Sequence, residues 1–131
     1  MTPSSEHPAS TGGRAVAVNH IGYVVSDLRV AERFFVDVLG FEATDRRGDL
    51  ADDDSDLLTR LLGVHPRATA RFAFVRLGSE LVELMQWAAP DHSNHTPGNA
   101  DAGGRHLALT IDGLDTFLAR VAAMPGYVVR E

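Results

Sequence analysis

The 131-residue chain predicts a mixed α+β fold made of paired βαβββ modules, the second of them incomplete. Three observations carry this. Short β-branched runs alternate with two segments whose apolar residues recur at i, i+3, i+4 and i+7, the marks of strands and amphipathic helices. The order of these elements begins to repeat itself. The repeat also keeps one offset: His20 and His106, Leu28 and Leu114, and Gly40-Phe41 and Gly126-Tyr127 all stand 86 positions apart. Landmark matches at one constant spacing indicate an internal duplication.

The opening MTPSSEHPASTGGR is polar and rich in Pro, Ser and Gly, so residues 1–14 read as a disordered leader before a single domain over 15–131. Module one covers 15–90, a Pro- and Gly-rich linker 88–104, and the partial module two 104–131. Residues 16–25 suit a strand, with Ser26 or Asp27 as cap of the helix after it. Ala31, Phe34, Phe35 and Val38 form that helix's apolar stripe, Gly40 ends it and Phe41 opens a short strand. DRRGDLADDDS, 45–55, reads as a polar loop, and Ser55 as the cap of a brief helix with Leu57, Leu58, Leu61 and Leu62. ATARFAFVRL, 68–77, and ELVELMQW, 80–87, make a hairpin about Gly78-Ser79. RHLALTI starts the second copy as a strand. Leu114, Phe117, Leu118 and Val121 give its helix, and YVVR its next strand.

Composition narrows the function. A net charge of −6 argues against a nucleic-acid partner, which needs clustered basic charge. No apolar run reaches membrane-spanning length and the leader has no hydrophobic segment, so a cytoplasmic protein is expected. There is no cysteine, which removes disulfides, thiolate nucleophiles and cysteine zinc sites. All 12 basic residues are arginine, so neither a lysine Schiff base nor a lysine general base is available.

The two repeated histidines sit in apolar strand settings. A histidine there is ordinarily a hydrogen-bonded structural residue, but two at equivalent repeat positions are brought near one another when related modules pack. Small neighbours on the same strand face, Gly22 beside His20 and Ala108 and Thr110 beside His106, leave room next to the imidazoles. Glu83 shares a strand face with Leu81, Met85 and Trp87, where a carboxylate is costly unless paired or metal-bound. Solvent at an edge strand is its ordinary alternative. Glu80, on the other face at the turn, reads as solvated. His92 and His95, in DHSNHTPG, read as loop residues, Trp87 and Met85 as pocket-mouth or core residues, and Arg105 as meeting solvent or an acid.

HIGYVVSDLRVAERFFVDVLGFE, ELVELMQW and RHLALTIDGLDTFLARV together resemble the vicinal oxygen chelate superfamily of glyoxalases, epimerases, extradiol dioxygenases and fosfomycin or bleomycin resistance proteins. The resemblance covers about residues 15–130 and is specific for fold more than for reaction. It implies that each βαβββ module curls into half of a U-shaped barrel around a divalent metal. The family's first-strand histidine falls on His20, its fourth-strand acid on Glu83 and its second-module histidine on His106, which makes these three the expected metal ligands.

Imidazole and carboxylate donors suit Zn, Ni, Co, Mn or Fe. Such an ion polarises a bound carbonyl or enolate, and Glu83 or a second acid takes the neighbouring proton. The expectation is therefore a glyoxalase- or epimerase-type lyase or isomerase acting on a small molecule, with Glu83 catalytic. The runner-up enzyme is a ring-cleaving iron dioxygenase, since two histidines and a carboxylate form its facial triad. A non-catalytic drug-binding resistance protein is the reading from another class, against which the retained ligand residues weigh.

The repeat places the counterpart of Glu83 at about position 169. The second module is then expected to lack two strands and the fourth ligand. An incomplete sequence is the favoured reason. The alternative is that a second copy supplies the missing surface and Glu131 or a water completes the metal shell; a homodimer that shares strands or closes the barrel is expected.

Overall fold

The computed structural model describes residues 12–130. Most of the expected leader, residues 1–11, and Glu131 lie outside the described residues. The elements are β1 (Ile21–Val24), α1 (Leu28–Arg33) running into a π-helical turn (Phe34–Val38), β2 (Glu42–Ala51), α2 (Leu57–Leu62), β3 (Thr69–Leu77), β4 (Glu80–Ala88) and α3 (Leu114–Ala122). This is an α+β architecture with one βαβββ-like module whose strands form a mixed sheet in the order β1-β4-β3-β2. β1 runs parallel to β4, and the other neighbours are antiparallel.

Alternation along the strands separates two faces. One carries Val82 and Leu84 of β4 with Ala73 and Val75 of β3, and packs with Leu28 and Phe41 into the buried core. Tyr23, Val25, Ala31, Phe35 and Leu39 close over the same cluster, so the α1 side of the sheet is the core side. Leu84 and Val75 are both 0% exposed. The opposite face carries Glu83 and Phe74, register partners on β4 and β3.

Caps and turns explain where elements stop. Asp27, one of the two predicted caps, accepts the Val30 N–H through Oδ1 at 3.0 Å, and Gln86 Oε1 accepts the Leu28 N–H at 2.9 Å. The main-chain donors of the first turn are thus held by one local side chain and one from β4. Gly40, at φ +83°, and its repeat counterpart Gly126, at φ +88°, both occupy the left-handed region that ends a helical stretch cheaply only in glycine. The two copies therefore match in backbone conformation at this landmark as well as in sequence.

Three expectations within the first module need correction. β1 is shorter than 16–25. Its register sets Ile21 opposite Val82, and β4 begins at Glu80, so Val16 and Val18 have no partner strand and are 87% and 74% exposed. The polar run from 45 onward is not all loop, because β2 extends to Ala51 along the edge of β3, from Arg47↔Ala73 to Ala51↔Thr69. Pairing with a long neighbour overrides the poor strand propensity of Asp, Arg and Gly. The N-cap position of α2 is Asp56, not Ser55, and the side chain that caps the helix is that of Asp52. Its carboxylate accepts the Leu58 and Thr59 N–H groups at 2.6 and 2.8 Å and the Thr59 hydroxyl at 2.6 Å. Partial burial works to raise the Asp52 pKa. The bonds from the Thr59 hydroxyl and from the Thr59 and Leu58 amides, with the Arg60 charge, outweigh it and hold the carboxyl below its ordinary value.

The second copy is held to the first by a few specific contacts. Arg120 Nη2 donates to the Val38 carbonyl at 2.8 Å, Tyr127 stacks on Phe34 with centroids 5.2 Å apart, and Leu109 packs on the core. The predicted strands over RHLALTI and YVVR form no hydrogen-bonded ladder among the described residues. Strand-forming sequence becomes a strand only where an edge is offered to it.

Candidate active site

The site face of the sheet is built by register. β1 lies beside β4 with Gly22 opposite Glu83, and Glu83 in turn faces Phe74 across to β3. His20, two residues before Gly22, comes down over the same pair. Its Nε2 lies 3.4 Å from Glu83 Oε2, and its ring meets Phe74 edge-on with centroids 5.3 Å apart. The His20 side chain keeps 35% of its surface open and that of Glu83 only 16%. Gly22 leaves space beside this pair: a Cβ there would stand 3.0 Å from Met85 Cε and 3.8 Å from Glu83 Oε2.

The hydrogen bonding of His20 fixes what the site can do. Nδ1 lies 2.7 Å from Asn19 Oδ1. An amide oxygen only accepts, so Nδ1 carries the hydrogen and donates it. In the neutral ring, the Nε2 lone pair then faces the Glu83 carboxylate. Two acceptors turned toward each other at this range are suited to share a metal ion. Metal-binding histidines characteristically donate their second ring N–H to an oxygen in this way. Two ligands about 2.1 Å from a tetrahedral ion stand about 3.4 Å apart, so the His20 and Glu83 donors fit one.

His106 is not part of this cluster. It is exposed and lines a separate recess of about 390 Å³ with Tyr23, Phe34 and Leu109. Among the described residues, no three His, Cys, Asp or Glu side chains come together as a metal-holding group. The neighbour, Arg105, is exposed to solvent, as expected, and has no acid partner among the described residues. Its Nη2 donates to the Val24 carbonyl at 3.0 Å, and the guanidinium lies 5.2 Å from the Tyr23 ring centroid. His92 and His95 are exposed loop residues, with His92 Nδ1 2.6 Å from the Ala89 carbonyl oxygen. Glu80 is exposed at the turn. Met85 and Trp87 are half-buried on the strand that carries Glu83, and Trp87 lines a recess of about 420 Å³ with Leu50 and Ala70.

Two participants escape a reading of the sequence. Asn19 orients His20, yet nothing in VNHIG marks the asparagine as its partner. Phe74 supports the imidazole from a strand more than fifty positions away, and only register brings them together.

Comparison with known proteins agrees with this architecture. The sequence profile of the glyoxalase/bleomycin resistance protein/dioxygenase superfamily matches residues 19–130. A 2-epi-5-epi-valiolone epimerase from an Actinomyces species is 42% identical over 113 residues, which cover 86% of this chain and 61% of the relative. The chain thus spans less than two thirds of that relative's length. A crystal structure of a glyoxalase family protein from Bacillus cereus superposes with a TM-score of 0.64 at 18% identity, over 94% of this chain and 84% of that one, a likeness of fold. The chain belongs to the glyoxalase/bleomycin resistance protein/dioxygenase superfamily.

Proposed function

We propose that this protein is a metal-dependent epimerase that inverts a stereocentre beside the carbonyl of a small oxygen-rich ketone, and that 2-epi-5-epi-valiolone is the first substrate to test. The observation that carries this is the His20–Glu83 pair, two acceptors 3.4 Å apart on an open sheet face. It is joined by the 42% identity to an epimerase of that compound.

His20 and Glu83 would hold the ion, one of Zn, Ni, Co, Mn or Fe. When bound, the ion supplies positive charge at the substrate carbonyl oxygen, which acidifies the adjacent C–H. Asn19 keeps His20 in the tautomer that presents Nε2. Phe74 backs the imidazole and shields it from water on one side. The Glu83 carboxylate is the base available to take the proton. Inversion returns a proton to the other side of the same carbon, so a second donor must approach from opposite Glu83. Val16, Val18 and Val24 leave apolar surface along β1 and the segment before it, which fits burial against a second copy of the chain.

The test is deuterium incorporation. The protein is supplied with each of the five metals and incubated with 2-epi-5-epi-valiolone in D2O, while NMR follows the carbon beside the carbonyl and the ratio of epimers. Exchange and epimerisation are expected in the wild type and are lost in Glu83→Gln, whose folding is checked separately. Absence of exchange with every metal would overturn the proposal.

A further inference from the structure

The edge strand β2 carries an irregularity beside the site. Ala43 pairs with Val75 and Arg47 with Ala73, so four steps along β2 match two along β3. Residues 44 to 46 therefore fall opposite the single residue Phe74, which supports His20, and both Thr44 and Arg46 touch it. Bulges of this kind commonly re-aim a side chain near an active site. Here the bulge is fastened. The Thr44 hydroxyl donates to the Phe74 carbonyl at 2.9 Å, and the Arg46 N–H donates back to Thr44 Oγ1 at 3.2 Å.

The result is a division between adjacent arginines. Arg47 turns to the helix side and is ion-paired with Glu32. Arg46 lies over the Phe74 ring, its guanidinium carbon 4.0 Å from the centroid, and makes no ion pair among the described residues. His20 meets the same ring edge-on. A guanidinium resting over an aromatic ring, without an acid partner, keeps N–H groups available.

We infer that Arg46 is a substrate-positioning residue: its fork donates to a pair of neighbouring oxygens on the substrate, at a distance from the carbon that reacts at Glu83. This rests on the epimerase reading above. It adds a substrate class, ketones with two adjacent oxygen substituents remote from the reacting carbon. A monofunctional ketone would forgo the contact.

The experiment measures steady-state epimerisation of 2-epi-5-epi-valiolone by the wild type, Arg46→Ala and Arg46→Lys, with thermal melting of each. Hydrogen bonds from a charged group are worth a factor of roughly ten to a hundred in binding. Arg46→Ala is expected to raise KM by about that factor with kcat and the melting temperature nearly unchanged. Arg46→Lys, which keeps the charge but not the fork, is expected to recover part of it. An active wild type whose KM is insensitive to Arg46→Ala would overturn this inference alone. So would a loss confined to kcat and melting temperature, the mark of a structural residue. A wild type that neither exchanges deuterium nor epimerises would remove the epimerase reading, and this inference with it.

Discussion

Gly22 and Glu83 stand opposite each other on parallel strands, and the space a Gly22 side chain would take lies 3.8 Å from the Glu83 carboxylate. The nearest obstacle is the end of Met85, at 3.0 Å, a flexible group that yields readily. Gly22→Ala should therefore fold normally and shift only Met85. Gly22→Val places branched carbons beside Glu83, and misplacing a reacting group by about 1 Å costs on the order of a hundredfold in rate. The expected outcome is a folded protein with that scale of loss in epimerisation. Equal activity in Gly22→Val would show that this space is not part of the site.

In the proposed metal site Asn19 acts only through His20, whose Nδ1 it holds. Loss of such a partner typically weakens metal affinity by roughly ten- to a hundredfold. Equilibrium dialysis with elemental analysis should find Asn19→Ala weakened by that factor and His20→Ala weakened further. Unchanged binding in His20→Ala would place the ion elsewhere.

Leu84 is fully buried at the centre of the sheet, on β4 between β1, which His20 immediately precedes, and β3, which carries Phe74. Leu84→Ala removes buried methyl groups and leaves a cavity, at a cost of about 2–5 kcal/mol. Urea denaturation measures it directly. A change under about 0.5 kcal/mol, the scale of a surface substitution, would mean the core does not close where the structure puts it.

Asp52 predicts a pH dependence with a definite sign. Its folded-state pKa lies below the ordinary carboxylate value, so folding favours the charged form. The stabilisation is present above the unfolded pKa and is lost as pH falls through the folded one. Thermal melts of wild type and Asp52→Ala should differ most at neutral pH and converge in acid, as Asp52 becomes protonated in both the folded and unfolded wild type. A gap that widens on acidification would contradict the assignment of Asp52 as the α2 cap.

Local signals in the sequence carry much of the fold. The i, i+3, i+4, i+7 stripes fall at α1 with its π-helical turn and at α3, and Asp27 caps where a capping residue is expected. The hairpin about Gly78-Ser79 forms as β3 and β4. Alternation along ELVELMQW already separates Glu83 from Val82 and Leu84, and these pack into the core while Glu83 faces His20. Each of these depends on neighbours within a few positions, which is the range over which side-chain period and capping act.

What only the tertiary structure decided are the long-range pairings. The polar run that begins at Asp45 becomes part of β2 because β3 offers an edge, and RHLALTI forms no ladder because none is offered among the described residues. The same rule governs the site. His20 reaches Glu83 because β1 is parallel to β4 in one register, and a slip of a single residue would turn Glu83 to the opposite face. His106 repeats His20 in sequence but lies in a different recess, since an internal repeat specifies local conformation and leaves the packing of the two copies to the surfaces that meet. Arg46 is invisible as a site residue in DRRG, and only the bulge beneath it aims one arginine at Phe74 and the next at Glu32. Propensity and period act along the chain, whereas register and face are settled by which strand lies alongside.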